Sequence, residues 1–262
     1  KTLYRYNLEG LPYEMVINSD PCVAYLMRDN TLLLQILTMA HVYGHNDFFK
    51  NNRLFKEGTR AGSTIDMFKH HSDRIRNYIQ DPSIGYERVE RILDAAHGLR
   101  FQTGLRGGVP DPASARRTEK EKKERILERF YENRKVESPL DLPLDLPLPD
   151  LSKIPLEPTE ELLGFIIEYG WLADWEQDVL QIVLSETRYF LPQIETKIMN
   201  EGWASYWHYR ILSQLSLAPP LMIEFINRHN QVIRPFLGSI NPYYIGFKVF
   251  TDIEKRFGRE KL

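Results

Sequence analysis

The chain has 262 residues, enough for one large domain or two small ones around a substantial hydrophobic core. Hydrophobic residues make up 42% and charged residues 27%, and the formal net charge of -2 gives no general attraction to nucleic acid or to an anionic membrane surface. One cysteine, Cys22, excludes a disulfide framework within the chain and a cysteine-based zinc cluster, and it fits a reducing compartment, so the expected location is cytoplasmic.

No run of about 18 apolar residues is present, so no membrane insertion is expected. Lys1–Tyr6 has no hydrophobic signal core, although a chain opening on Lys1 leaves room for a removed leader. Residues 11–28 read as two short strands: Tyr13–Ile17 and Cys22–Met27 are β-prone, and Asn18-Ser19-Asp20-Pro21 between them is turn chemistry. Asp29-Asn30-Thr31 offers N-cap residues for a helix from Leu32 to about Lys50, which Asn51-Asn52 can end. That helix is apolar on nearly every side, the mark of a buried helix. Further helices are expected over Ile65–Gln80 and Gly85–Leu99.

Residues 104–160 change character. Glycines and prolines from Gly104 to Pro112 make a loop, and 116–135 is dense in both charge signs, a solvated helix. Prolines 139, 143, 147, 149, 155 and 158 then exclude a helix or a central strand, leaving an extended linker. Beyond it, helices are expected from Thr159 through Glu168, from Ala173 to a stop at Pro192, and from Thr196 to Leu215, with Pro219-Pro220 ending that region. All four tryptophans (171, 175, 203 and 207) fall here, so this part is expected to carry much of the core. The expected fold is mainly α with a small β-hairpin or edge-strand element (α+β) and a zincin-like helical core. It falls into three segments: 1–104 as the N-terminal part of the core, 105–160 as a charged helix and proline-rich linker or insertion, and 161–262 as the C-terminal part of the same core.

Two stretches carry chemistry. His41-Val42-Tyr43-Gly44-His45 sets two imidazoles four residues apart on the buried helix, on one face, where both can reach one metal ion. The plain alternative is a pair of core histidines bonded to carbonyls and carboxylates, since burial demands partners either way. In Met199–His208, the residues Glu201, Ser205 and His208 share a helical stripe among bulky aromatic neighbours. Glu201 is read as the third metal ligand, with a capping carboxylate as its alternative, and zinc as the expected ion. Asn200-Glu201-Gly202-x-x-x-Tyr206 resembles the segment that supplies the glutamate ligand in gluzincin aminopeptidases, and a hairpin before the histidine helix resembles the substrate-binding edge strand of zincins.

Val42 stands where a zinc peptidase has its general-base glutamate. Glu186 is the best substitute, with a salt bridge to Arg188 or a neighbouring helix as its alternative role. His208 and Tyr243 complete the candidate catalytic set, the phenol as an oxyanion donor or as plain packing. Asp47 is read as a partner of His45 or of its own turn. His97, beside Asp94 and Glu90, is a weak candidate ligand. His70-His71 and His229 are expected on helix surfaces. No Gly-x-x-x-x-Gly-Lys run occurs, which argues against a P-loop NTPase.

Three longer blocks resemble the stage V sporulation protein R (SpoVR) family: Ala40–Asn52, Lys197–Arg210 and Asn241–Gly246, in the family's order. The resemblance covers nearly the whole chain, least so at 105–158, and family members continue beyond the equivalent of Leu262. It implies a role in forming the spore cortex, a peptidoglycan layer. In bacteria that do not sporulate, it implies association with a serine-kinase-like AAA protein and a von Willebrand-type protein. The resemblance brings no enzymatic activity with it; the metal site is read from His41, His45 and Glu201. Two functions follow. One is a zincin-like metal-dependent hydrolase of peptide or amide bonds; the other is a non-catalytic regulator or scaffold of cortex and peptidoglycan assembly, with the same cluster serving structure. Nucleic-acid binding ranks third, because the basic residues of 116–135 are interleaved with acids.

Overall fold

A computed structural model describes residues 14–102, 120–126, 128–129 and 161–262. The described residues are mainly helical, with one two-stranded antiparallel sheet. Strand β1 (Glu14–Ile17) pairs with β2 (Val23–Leu26) in the register Glu14–Leu26 to Ile17–Val23. Thr31 caps helix α1 (Leu32–Asn51) by accepting from the Leu34 amide. Asn52 ends α1 and starts α2 (Arg53–Gly58), its Oδ1 accepting from the amides of Leu54 and Phe55. A 3-10 turn (Ala61–Ser63) leads into α3 (Thr64–Gln80), and α4 covers Tyr86–Leu99. Then follow α5 (Leu162–Tyr169), α6 (Asp174–Glu195), α7 (Lys197–Gln214), α8 (Pro219–Val232) and α9 (Pro242–Phe257).

The chain divides into two compact units, Lys1–Lys69 with Arg188–Leu262, and His70–Thr187. In the first, α7 packs against both α1 and α9. Leu33, Leu37 and Ala40 of α1 meet Leu212 of α7 and Phe225 of α8 in its apolar core. The α1–α7 and α7–α9 crossings are close because glycines sit at them. A Cβ on Gly44 would come within 2.6 Å of the Ala204 Cα, and Gly202 and Gly246 face each other backbone to backbone. The hairpin is tied to α1 by Cys22 Sγ, which donates to Asn46 Oδ1 at 2.7 Å, and by Gln35 Nε2, which donates to the Met27 carbonyl at 2.8 Å. In the second unit, Ala96 packs with Leu163, Leu180, Val183 and Leu184. There Asp178 accepts from Arg74 and from the Tyr78 hydroxyl.

Four expectations need correction. Pro192 does not stop α6, which runs on to Glu195. The Pro192 carbonyl accepts from the amide and hydroxyl of Thr196, and its ring sits against Gly58, so tertiary packing outweighs the single lost donor. Pro219 opens α8 at the first helical position, where a proline lacks nothing the helix needs. The helix expected from Thr159 starts at Leu162, with the Glu161 carboxylate accepting from the Gly164 amide; Thr159 itself lies outside the described residues. The last third does carry much of the core, but not through its tryptophans: Trp171 is wholly exposed and the other three are half-buried, and aliphatic side chains with Tyr206 and Phe225 fill the core instead. The charged helix expected over 116–135 is described at 120–126 and 128–129, where it is helical. The Gly/Pro loop from 104 and the proline-rich stretch 139–158 lie outside the described residues.

Candidate metal centre

The first unit brings five elements to one place. Helix α1 is apolar enough to be buried along most of its length, and this drives His41 and His45 inward. The glycine at 44 lets α7 approach that face, so Asn200, Glu201 and His208 come opposite the two histidines. Strand β1 contributes Glu14. Helix α9 contributes Tyr243, fixed by Asn241: its Oδ1 accepts from the Tyr243 amide, and its Nδ2 donates to the carbonyls of Val232 and Arg234. Helix α8 contributes His229.

Two imidazole nitrogens and two carboxylates converge. Glu201 Oε2 lies 3.7 Å from His41 Nε2 and 3.6 Å from His45 Nε2. Glu14 Oε1 lies 3.9 Å from His41 Nε2, and Glu14, His41 and His45 can each bring a donor atom within 4.8 Å of the others. Two donors each about 2.1 Å from one ion at a tetrahedral angle stand about 3.4 Å apart, so these spacings are close to those of a shared cation. The other ring nitrogens are turned away. His45 Nδ1 meets Asn200 Oδ1 at 2.9 Å, and His41 Nδ1 meets His208 Nδ1 at 3.0 Å. An oxygen acceptor behind the ring, as Asn200 supplies for His45, is the kind of partner that metal-binding histidines take on their far side, and a ring nitrogen stands in that place for His41. His41 Nε2 and Glu201 Oε2 are buried with no hydrogen-bond partner in the protein, an arrangement that costs free energy unless something else satisfies them.

The electrostatics point the same way. Burial pushes the His45 imidazole down to about 4, with His41 adding to the effect. Burial likewise holds His229 down at about 4, and His208 well below its ordinary value. These three rings are therefore neutral at pH 7, and for His45 that is the form that binds metals. Burial raises Glu14, and the neighbouring Glu201 adds to it against the opposing pull of His41. Burial also opposes ionisation of Glu201, but His41, His45 and the phenol of Tyr243 outweigh it and hold the carboxyl below its ordinary value. Tyr243 is pushed up by burial and by the two carboxylates, so it stays a hydroxyl that donates to Glu201. Two carboxyl groups facing two imidazoles in a buried site are a donor set for a divalent cation.

Of the residues singled out in the sequence, His41, His45, Glu201, His208 and Tyr243 gather here. His208 lies behind His41, on the side of the ring opposite to Glu201. Glu186 belongs to the second unit, where its Oε1 pairs with His71 Nδ1 at 3.0 Å, a bond to a neighbouring helix. His71 is therefore buried, not solvent-facing as expected, while His70 is exposed. His229 is also buried, at 3% exposure, bonded to His208 rather than lying on a surface. His97 is exposed and bonded to Arg100. Asp47 accepts from the Trp203 indole at 2.9 Å and from Asn51. Glu14 escaped the sequence reading. The one signal was an acidic residue in a β-prone run just before the histidine helix, and only the hairpin register brings it to the site.

The model of a family described as "SpoVR like protein" matches residues 1–261. A relative described as "Uncharacterized protein YcgB", from Escherichia coli (strain K12), is 37% identical over 276 residues, covering 97% of this chain and 52% of the relative. The chain thus spans about half the length of this curated relative. No solved structure matches. No helix among the described residues is long and apolar enough to cross a membrane.

Proposed function

The chain belongs to the SpoVR-like family, and from that premise we propose that it is the metal-bearing part of a cell-wall protein, acting in the spore cortex where spores are formed, whose centre hydrolyses a peptide or amide bond. The observation that carries the reading is the convergence of His41, His45, Glu201 and Glu14 with unpartnered, buried Nε2 and Oε2 atoms between them. In this proposal His41, His45 and Glu201 hold one zinc ion. The bound ion supplies Lewis acidity to water and to a substrate carbonyl. The protein supplies the rest. The glutamate that usually follows the first histidine is replaced by Val42. Glu14, whose Oε1 is 3.9 Å from His41 Nε2, is the carboxylate best located to accept the proton of the attacking water and pass it to the leaving amine. Tyr243, held as a phenol, is suited to donate to a developing oxyanion. Glu186, paired with His71 in the second unit, is given no role in this proposal. The proposal keeps, as partners of the whole protein, a serine-kinase-like AAA protein and a von Willebrand-type protein.

Val42 also favours a second reading, a non-catalytic regulator or scaffold of peptidoglycan assembly whose metal serves structure. Incubating the zinc-loaded protein with cross-linked muropeptides and following new amines by mass spectrometry separates the two. The hydrolase reading expects cleavage by the wild type and none by Glu14→Gln, although Glu14→Gln still binds zinc. Absence of cleavage by zinc-loaded wild type across the muropeptide set, together with a His41→Ala variant that loses only thermal stability, would overturn it in favour of the scaffold.

A further inference from the structure

Behind the two carboxylates a line of three buried imidazoles crosses three helices. His41 Nδ1 lies 3.0 Å from His208 Nδ1, and His208 Nε2 lies 2.8 Å from His229 Nδ1. His41 and His208 are fully buried, and Tyr209, Phe225 and Phe247 pack around the far ring. A neutral imidazole carries one ring proton, so each of these short N···N pairs holds a single proton, donated by one partner and accepted by the other.

The two pairs share His208, so the line has only two polarities. In the first, His41 Nδ1–H donates to His208 Nδ1, His208 Nε2–H donates to His229 Nδ1, and the His229 proton sits on Nε2. This leaves the His41 Nε2 lone pair aimed toward Glu201 and Glu14. In the second, every proton sits on the other nitrogen of its ring, and His41 Nε2 carries a hydrogen toward the carboxylates. A nitrogen that carries a hydrogen is no metal donor. His45 has no such choice, because Asn200 Oδ1 can only accept from its Nδ1–H. The lone-pair direction of one donor is thus fixed by an amide, and that of the other depends on two residues farther back.

We propose that His208 and His229 are positioning residues that hold this line in the first polarity and so present His41 Nε2 as a metal donor. The inference rests on the metal reading of the site and adds the tautomers and the two residues that set them. His208, picked out in the sequence as a catalytic candidate, acts through His41 rather than on a substrate. His229 extends the arrangement to α8, a helix that supplies no donor.

Long-range proton–nitrogen correlation spectra of the wild-type chain, metal-free and zinc-loaded, test the polarity directly. The expected pattern in the loaded protein is His41 protonated on Nδ1, with His208 and His229 both protonated on Nε2. Zinc affinity, measured by competition with a chromogenic chelator, tests the consequence. His229→Leu, which removes the acceptor for His208, should weaken zinc binding by about tenfold to a hundredfold, the usual cost of losing an outer partner. His229→Asn, which restores an accepting oxygen, should recover most of that loss. Zinc binding by wild type with His208 protonated on Nδ1, or binding by His229→Leu within about twofold of wild type, overturns the inference and leaves the metal reading intact. Failure of reconstituted wild type to take up zinc overturns both. If His229→Leu does not fold, the wild-type spectra alone decide the polarity.

Discussion

Zinc affinity is expected to fall more than about a hundredfold when Glu201 becomes glutamine, a larger loss than removal of an outer partner brings. Among the described residues, Glu201 Oε2 lies within 3.7 Å of both imidazole Nε2 atoms, whereas Glu14 is paired with His41 alone, at 3.9 Å. The same substitution should also cost the metal-free protein some stability near neutral pH. His41, His45 and Tyr243 hold the Glu201 carboxyl below its ordinary value, so folding favours its ionised form, and the amide loses that contribution while keeping the shape of the side chain. The two effects separate cleanly in a thermal-unfolding experiment. Wild type at a hundredfold excess of zinc over its dissociation constant should gain about 2.7 kcal/mol, and Glu201→Gln should gain nothing measurable at that concentration. Equal zinc-induced shifts in the two proteins would show that the glutamate is no ligand. The Glu14→Gln variant is the informative contrast, since its zinc-induced shift should persist.

Gly246→Ala should destabilise the first unit by about 3 kcal/mol, at the upper end of overpacking costs, and lower its melting temperature by roughly 10 °C. The new methyl group would meet the Ile198 carbonyl and the Gly202 backbone, and backbone cannot swing aside as the end of a side chain can. Relief requires α9 to move off α7. Because α9 carries Tyr243, the same shift would draw the phenol away from Glu201. The variant should therefore lose zinc affinity as well as stability, whereas an ordinary core cavity would lower stability alone. Gly98→Ala is the control. Gly98 lies inside α4 with nothing within 4 Å of its would-be Cβ, so alanine there should stabilise by up to about 1 kcal/mol. Unfolding followed by circular dichroism, with zinc titrations on each variant, checks both.

Much of this site was legible because its ligands lie on helices with strong periodicity. The i,i+4 spacing of His41 and His45 on an all-round apolar stretch signalled two inward imidazoles, and both are buried. Glu201 and His208 stood out as ionisable residues among aromatic ones, seven apart on one stripe. The hairpin and the start of α1 followed from turn and cap chemistry, which is local. What stayed hidden was long-range. Glu14 reaches the site through the hairpin register, and His229 through the packing of α8, whose sequence gives a single histidine on an amphipathic face no reason to look buried. His71 and Glu186 satisfy each other across 115 residues, a pairing that neither stretch announces. Pro192 shows the opposite limit: a strong local breaker was overruled by packing against Gly58.

Those long-range contacts also bring together three blocks that lie far apart in the sequence. Ala40–Asn52 supplies two imidazoles, Lys197–Arg210 supplies a carboxylate and the ring behind His41, and Asn241–Gly246 supplies the cap that sets Tyr243 and the glycine that lets α9 close on α7. Each block carries both a polar group of the site and a feature needed to bring its helix close.

The most direct test is the metal content of the native protein, purified without chelator and measured by elemental analysis against protein concentration. One equivalent of a divalent transition metal per chain, zinc foremost, removed by chelator and restored on reconstitution, is the result expected here. A protein that is folded by circular dichroism yet holds no stoichiometric metal before or after reconstitution would contradict the account.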